Sequence, residues 1–236
     1  MKTSRVSSAN PLVMLWNSVI GKKIVMAVTG AVLVLFVIAH MLGNLKVYGG
    51  QQTMNAYARF LREMGWPILG HEEGLWAVRI ILLVCVVLHV TAATQLTRLS
   101  WQARPQEYHE WKGLASTFAS RTMRWGGVLL LVFIVFHILH MTFGVVGFSP
   151  GQFKHLAVYQ NVVAGFSVWP VSLFYIVAMV ALGLHLDHGI WSAIQTLGFN
   201  SGRNEHVLKL VSRAIAVIVV LGFISVPVSV MVGWVR

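Results

Sequence analysis

The chain is poor in the residues from which soluble enzymes are made. Asp and Glu together number 7 in 236 residues, and charged residues of both signs make up 11%, against roughly 25% in an ordinary soluble domain. It has one cysteine, Cys85, so it can form neither an internal disulfide nor a thiolate-held iron–sulfur cluster of its own. Cys85 reads as a structural thiol. There is no glycine-rich phosphate loop, no Rossmann fingerprint, and no clear paired-carboxylate or nucleophile constellation. Repeats and low-complexity tracts are also missing. Chemistry on a water-soluble substrate is therefore expected on another subunit. This chain either moves something through a membrane or anchors something that reacts outside it.

What it has in excess is hydrocarbon. Hydrophobic residues make up 57% of the chain, and the mean hydropathy is +0.73. A membrane helix needs about 20 mostly apolar residues, and five runs qualify, at about 23–45, 75–98, 123–146, 168–190 and 209–234. One buried soluble helix could imitate such a run, but five in a chain of this length could not. The expected fold is an all-α membrane protein, a five-transmembrane-helix bundle forming one domain over 1–236. The segment 1–21 lacks a clean small-residue cleavage site and Lys22–Lys23 directly precede the first run, so no cleaved signal is expected.

A net charge of +11 could suggest nucleic acid, but its distribution points to topology. With the amino end inside, Lys46, Arg59, Arg62, Arg79, Lys154 and Arg236 lie outside and the other twelve of 18 Lys and Arg lie inside. That is the positive-inside bias, and it predicts a multi-pass protein of the cytoplasmic membrane with a cytoplasmic amino terminus, in contact with membrane lipid and with no nucleic acid. Met54, Ala58, Leu61 and Met64 recur at helical spacing in the outer loop 46–74, before Trp66–Pro67. A short helix on the outer surface is expected there, and "NPLVMLWNSVI" suits the inner surface. Pro170 falls in a first turn, where it is tolerated, and Pro227 is expected to kink the last span.

Polar side chains within a membrane helix are expensive and mark function by default. Five of the ten histidines fall well inside the spans: His40, His89, His137, His140 and His185. Any one alone is better read as an interhelical hydrogen bond. Four of the five spans carry at least one, which that reading explains poorly. At 1.5 Å rise per residue, His40 lies about 25 Å above Lys23 and His137 about 20 Å above Arg124. His89 and His185 lie about 14–15 Å from the inner ends of their spans. Two imidazoles thus group near the outer face and two near the inner face, as two stacked b-type haems would require. The pairs would be His40 with His137, and His89 with His185. Depth does not separate His137 from His140, and His140 matches the level of His40 slightly better. Eleven residues before His137 is Gly126, and eleven before His40 is Thr29, with Gly30 adjacent. Small residues there suit close approach of a flat ring, or equally of another helix.

Two other classes compete. Many two-haem bundles, among them hydrogenase and formate dehydrogenase cytochromes, take both ligands of one side from a single helix, fourteen residues apart. No two histidines here have that spacing. A transporter or assembly protein without haem could instead use the histidines to bridge helices or carry protons.

The stretches "GKKIVMAVTGAVLVLFVIAHMLGNL", "RWGGVLLLVFIVFH" and "GLHLDHGIW" resemble the dihaem cytochrome b membrane anchor of succinate:quinone oxidoreductases, the succinate dehydrogenase and fumarate reductase family. The likeness covers all five spans. It implies that Trp125 leads to a ligand at His137, and that Gly189 and Trp191 point back to His185. His140 then becomes a neighbour contacting a propionate or quinone. The resemblance further implies a flavoprotein subunit carrying FAD and an iron–sulfur subunit docked on the basic inner loops. Electrons would pass through two haems b to a quinone, expected to be menaquinone, linking the tricarboxylic acid cycle to the respiratory chain. The chain would be the electron-transfer subunit of that enzyme, compatible with a higher oligomer of the complex. Arg79, Lys46 and Arg98 lie near span ends and could meet haem propionates, although interface anchoring is their commoner role. Glu63 in the outer loop could accept a quinone proton, although a solvated loop charge is the commoner role for such a residue. Some members carry a glutamate two residues before the last ligand, where this chain has Gly183.

Overall fold

The computed structural model describes residues 10–103 and 118–236. Lys2, Arg5, Arg104 and Lys112, and with them the amino end and most of the inner loop 99–122, lie outside the described residues. Every regular element among the described residues is helical. Helix α1 (Pro11–Asn17) turns at Ser18 into α2 (Val19–Asn44). The Ser18 hydroxyl accepts from the Gly21 amide at 2.8 Å, satisfying one of the donors that a helix start leaves open. Buried Lys22 ties the two helices together by donating to the Trp16 carbonyl at 2.6 Å.

A 3₁₀ turn, Leu45–Gly49, leads to α3 (Gly50–Arg62). Gly50 has φ +79, a left-handed value that glycine adopts without a side-chain penalty. Then come α4 (Glu73–Gln102), α5 (Phe118–His137) and a π-helical turn, Ile138–Thr142. The short α6 (Val158–Phe166) precedes α7 (Trp169–Thr196), with Pro170 in its first turn, and α8 (Glu205–Met231) runs unbroken through Pro227.

Five helices are long and apolar enough to cross a membrane, each within a few residues of its expected place. Their outward faces carry exposed Leu35, Ile80, Leu83, Ile218 and Leu221, a surface that hydrocarbon would cover. The surface helices expected on each side are α1 and α3, whereas α6 was not anticipated. Helix α7 is the centre of the bundle, packed on α8, α5 and α2, and α2 in turn packs on α4. One apolar core joins Val47, Met54, Phe133, Val162, Phe166 and Tyr175 towards the α3–α6 end, and a second joins Met41, Leu186, Ala216 and Val219.

Candidate cofactor site

Four of the five membrane histidines form two pairs. His40 on α2 and His137 on α5 have ring centroids 5.8 Å apart, with planes at 81°. His89 on α4 and His185 on α7 have centroids 6.4 Å apart, with planes at 57°. No hydrogen bond joins the members of either pair, and all four rings are half-buried. Neither α2 with α5 nor α4 with α7 is among the packed helix pairs. Each pair therefore joins two helices that do not pack closely on one another.

Local sequence aims these rings. Phe36, one turn before His40, stacks on it at 5.3 Å, and Phe133 stacks on His137 at 5.7 Å. His89 Nδ1 lies 3.1 Å from the Met26 carbonyl oxygen and 3.3 Å from Thr29 Oγ1. A carbonyl only accepts, so Nδ1 carries the hydrogen and Nε2 keeps a free lone pair. His137 Nδ1 is 3.0 Å from the Tyr175 hydroxyl. A metal-binding imidazole has this arrangement, its other nitrogen held by an oxygen partner. His185 Nδ1 is buried with no partner.

The residues fit an iron porphyrin. A metal–imidazole bond is about 2.0–2.1 Å long, so two imidazoles on opposite sides of one ion have centroids about 6 Å apart. The two measured separations bracket that value. Among the described residues no three His, Cys, Asp or Glu side chains gather at one place, so neither pair completes a tetrahedral protein site. Two imidazoles are the donor set that haem iron takes from a protein in a b-type cytochrome.

There is space beside His185 as well. A groove of about 240 Å³ runs between α5 and α7, lined by Trp125, Gly126, Leu129, Ala181, Leu184 and His185 among others. A Cβ built on Gly126 meets no heavy atom within 4 Å, and one on Gly127 would lie 3.7 Å from His185 Cε1. Gly30 serves differently from the expectation: its Cβ would come within 3.2 Å of His89 Cε1. It makes room for the imidazole itself, while Thr29 holds that ring's Nδ1.

His140 has no such opening. It is 0% exposed, with Phe148 at 4.6 Å, Tyr175 at 5.6 Å and Phe136 at 5.7 Å from its ring centroid. Its Nδ1 meets the Tyr175 hydroxyl at 2.9 Å. A Cβ on Gly165 would lie 2.6 Å from its Nε2, and one on Gly147 2.8 Å from Cδ2. No flat macrocycle fits beside either nitrogen.

The charged candidates stand apart from the pairs. Lys46, Arg98 and Glu63 are exposed, with Glu63 just past the end of α3. Arg79 lies over the Trp76 ring at 4.9 Å, as an interfacial anchor would. Gly183 sits where α7 meets α8, so a side chain there would run into Val220. Asp187 pairs with Arg213 at 3.5 Å instead. Sequence spacing did not reveal Tyr175. Its only signal was a hydroxyl within the apolar run "VSLFYIVAMV".

No family model matches the chain, and no curated protein or solved structure matches it either.

Proposed function

We propose that the chain is a dihaem cytochrome b that anchors a succinate dehydrogenase or fumarate reductase in the cytoplasmic membrane and relays electrons to quinone. The observation that carries this reading is the geometry of the two histidine pairs, 5.8 and 6.4 Å between centroids, each drawn from helices that do not pack on one another. His40 and His137 would hold the outer haem, and His89 and His185 the inner one. When bound, each haem would supply a one-electron iron couple, held by the two imidazoles of its pair. The chain's own work is to hold the imidazoles in one tautomer, as the Met26 carbonyl does for His89. It also keeps the sites within apolar walls, as Leu129, Ala181 and Leu184 do beside His185.

The resemblance supports the partners: an FAD-bearing flavoprotein and an iron–sulfur subunit at the inner, basic side, and menaquinone as the electron acceptor or donor. Exposed Glu63 is available to take up a proton where quinone is reduced near the outer face. An amino terminus in the cytoplasm follows from the distribution of Lys and Arg.

The test is a haem count and a reduced-minus-oxidised spectrum of the detergent-purified complex, expected to give two b-type haems per chain and a co-purifying flavoprotein. His137→Ala and His40→Ala should each remove one haem and leave the other, while His140→Ala should keep both. A colourless pure protein ends this reading. Loss of a haem from His140→Ala, with two retained in His137→Ala, reassigns the outer ligand to His140.

A further inference from the structure

We propose that Tyr175 and His140 are positioning residues for His137, acting on it through one directed chain of hydrogen bonds. The proposal rests on the reading of His137 as an axial ligand. The Tyr175 hydroxyl stands between two imidazoles, 3.0 Å from His137 Nδ1 and 2.9 Å from His140 Nδ1. A hydroxyl has a single hydrogen and also accepts; it could accept from both rings, but its own hydrogen finds a partner among these contacts only if it accepts from one ring and donates to the other.

Ligation fixes which way the chain runs. An imidazole that binds metal through Nε2 keeps its hydrogen on Nδ1, so His137 donates to the Tyr175 oxygen. Tyr175 then donates to His140 Nδ1, which must be bare, and His140 carries its own hydrogen on Nε2. That atom is buried with no partner, closed in by Gly147 and Gly165. A leucine would fill the same aromatic cage and leave no polar atom stranded. The imidazole at 140 is therefore retained for its Nδ1, which anchors the tyrosine hydroxyl and turns that oxygen's lone pairs towards His137.

The consequence for His137 is twofold. Its ring cannot rotate freely about the metal bond, and an acceptor on Nδ1–H makes Nε2 a stronger electron donor. His89 gets the same service from a rigid backbone carbonyl, so the two pairs are tuned by different means.

The test uses the purified complex with Tyr175→Phe, an isosteric change, together with His140→Leu and the double variant. Each is followed by reductive titration and by the low-spin electron paramagnetic resonance signals. In Tyr175→Phe both haems should remain. The haem that His137→Ala removes should show a raised midpoint potential and a shifted signal, with the other haem unmoved. His140→Leu should give a smaller shift of the same sign, and the double variant should match Tyr175→Phe alone. Unchanged potential and signal in Tyr175→Phe, or additive shifts in the double variant, overturn the proposal. A measurement on the unaltered, reduced protein guards against misfolded variants: ¹⁵N resonances should place the His140 hydrogen on Nε2, and a hydrogen on Nδ1 sinks the chain as drawn. A colourless unaltered protein removes the ligand reading itself, and the proposal with it.

Discussion

A methyl group on Gly165 would lie 2.6 Å from His140 Nε2 and 2.8 Å from Cε1, nearer than packed atoms tolerate. Gly165→Ala should therefore cost about 1–3 kcal/mol, as overpacking of a filled core does, read as a lower thermal midpoint in detergent. The opposite situation holds at Gly126, where there is open space beside His185. Gly126→Phe should fill that groove and displace the inner haem while the outer one stays, which a haem count and difference spectrum would register. These two glycines also mark how far single residues could be read in advance. Five imidazoles stood out because hydrocarbon makes polar groups costly wherever they sit. His137 and His140 could not be told apart by spacing, because three residues along a helix leave both near one face. What separates them is Gly147, Phe148 and Gly165, which close in on His140 and are brought in from other parts of the chain.

At the level of elements, long apolar runs announced themselves and short ones did not. Helix α3 was legible because its apolar residues recur at helical spacing, and Met54, buried at 4% exposure, anchors that stripe in the core. The nine residues of α6 are too few for periodicity to separate a helix from a strand or loop. Their helical state depends on packing against α3, where Asn55 Oδ1 accepts from the Tyr159 amide at 3.2 Å. Asn55→Leu leaves that amide without a partner, a change worth about 1–3 kcal/mol for a buried donor. The expected outcome is faster hydrogen exchange over Val158–Phe166, with α7 and α8 unaffected. The π turn at Ile138–Thr142 was equally invisible in the sequence. Such turns tend to occur at functional sites, and this one carries His140 to the tyrosine.

For the molecule as a whole, the five spans could be read from apolar length, and the placement of Lys and Arg predicts their orientation. With Cys85 replaced by Ala, a thiol introduced at exposed Gln51 should react with a membrane-impermeant reagent in intact cells, and one at exposed Ser201 only after the membrane is opened. The reverse pattern would invert the topology. The relative placement of the spans could not be read, because which helices touch depends on side chains from distant segments. That arrangement bears on how the protein comes to exist. Helices α2 and α5 are joined through α7, and α4 and α7 through α2, so a porphyrin held by each pair of imidazoles would add the one direct link between helices that the bundle otherwise connects only indirectly. Its maturation should then depend on pigment supply: in cells starved of porphyrin the newly made polypeptide would stay looser, and membrane proteases would clear it faster.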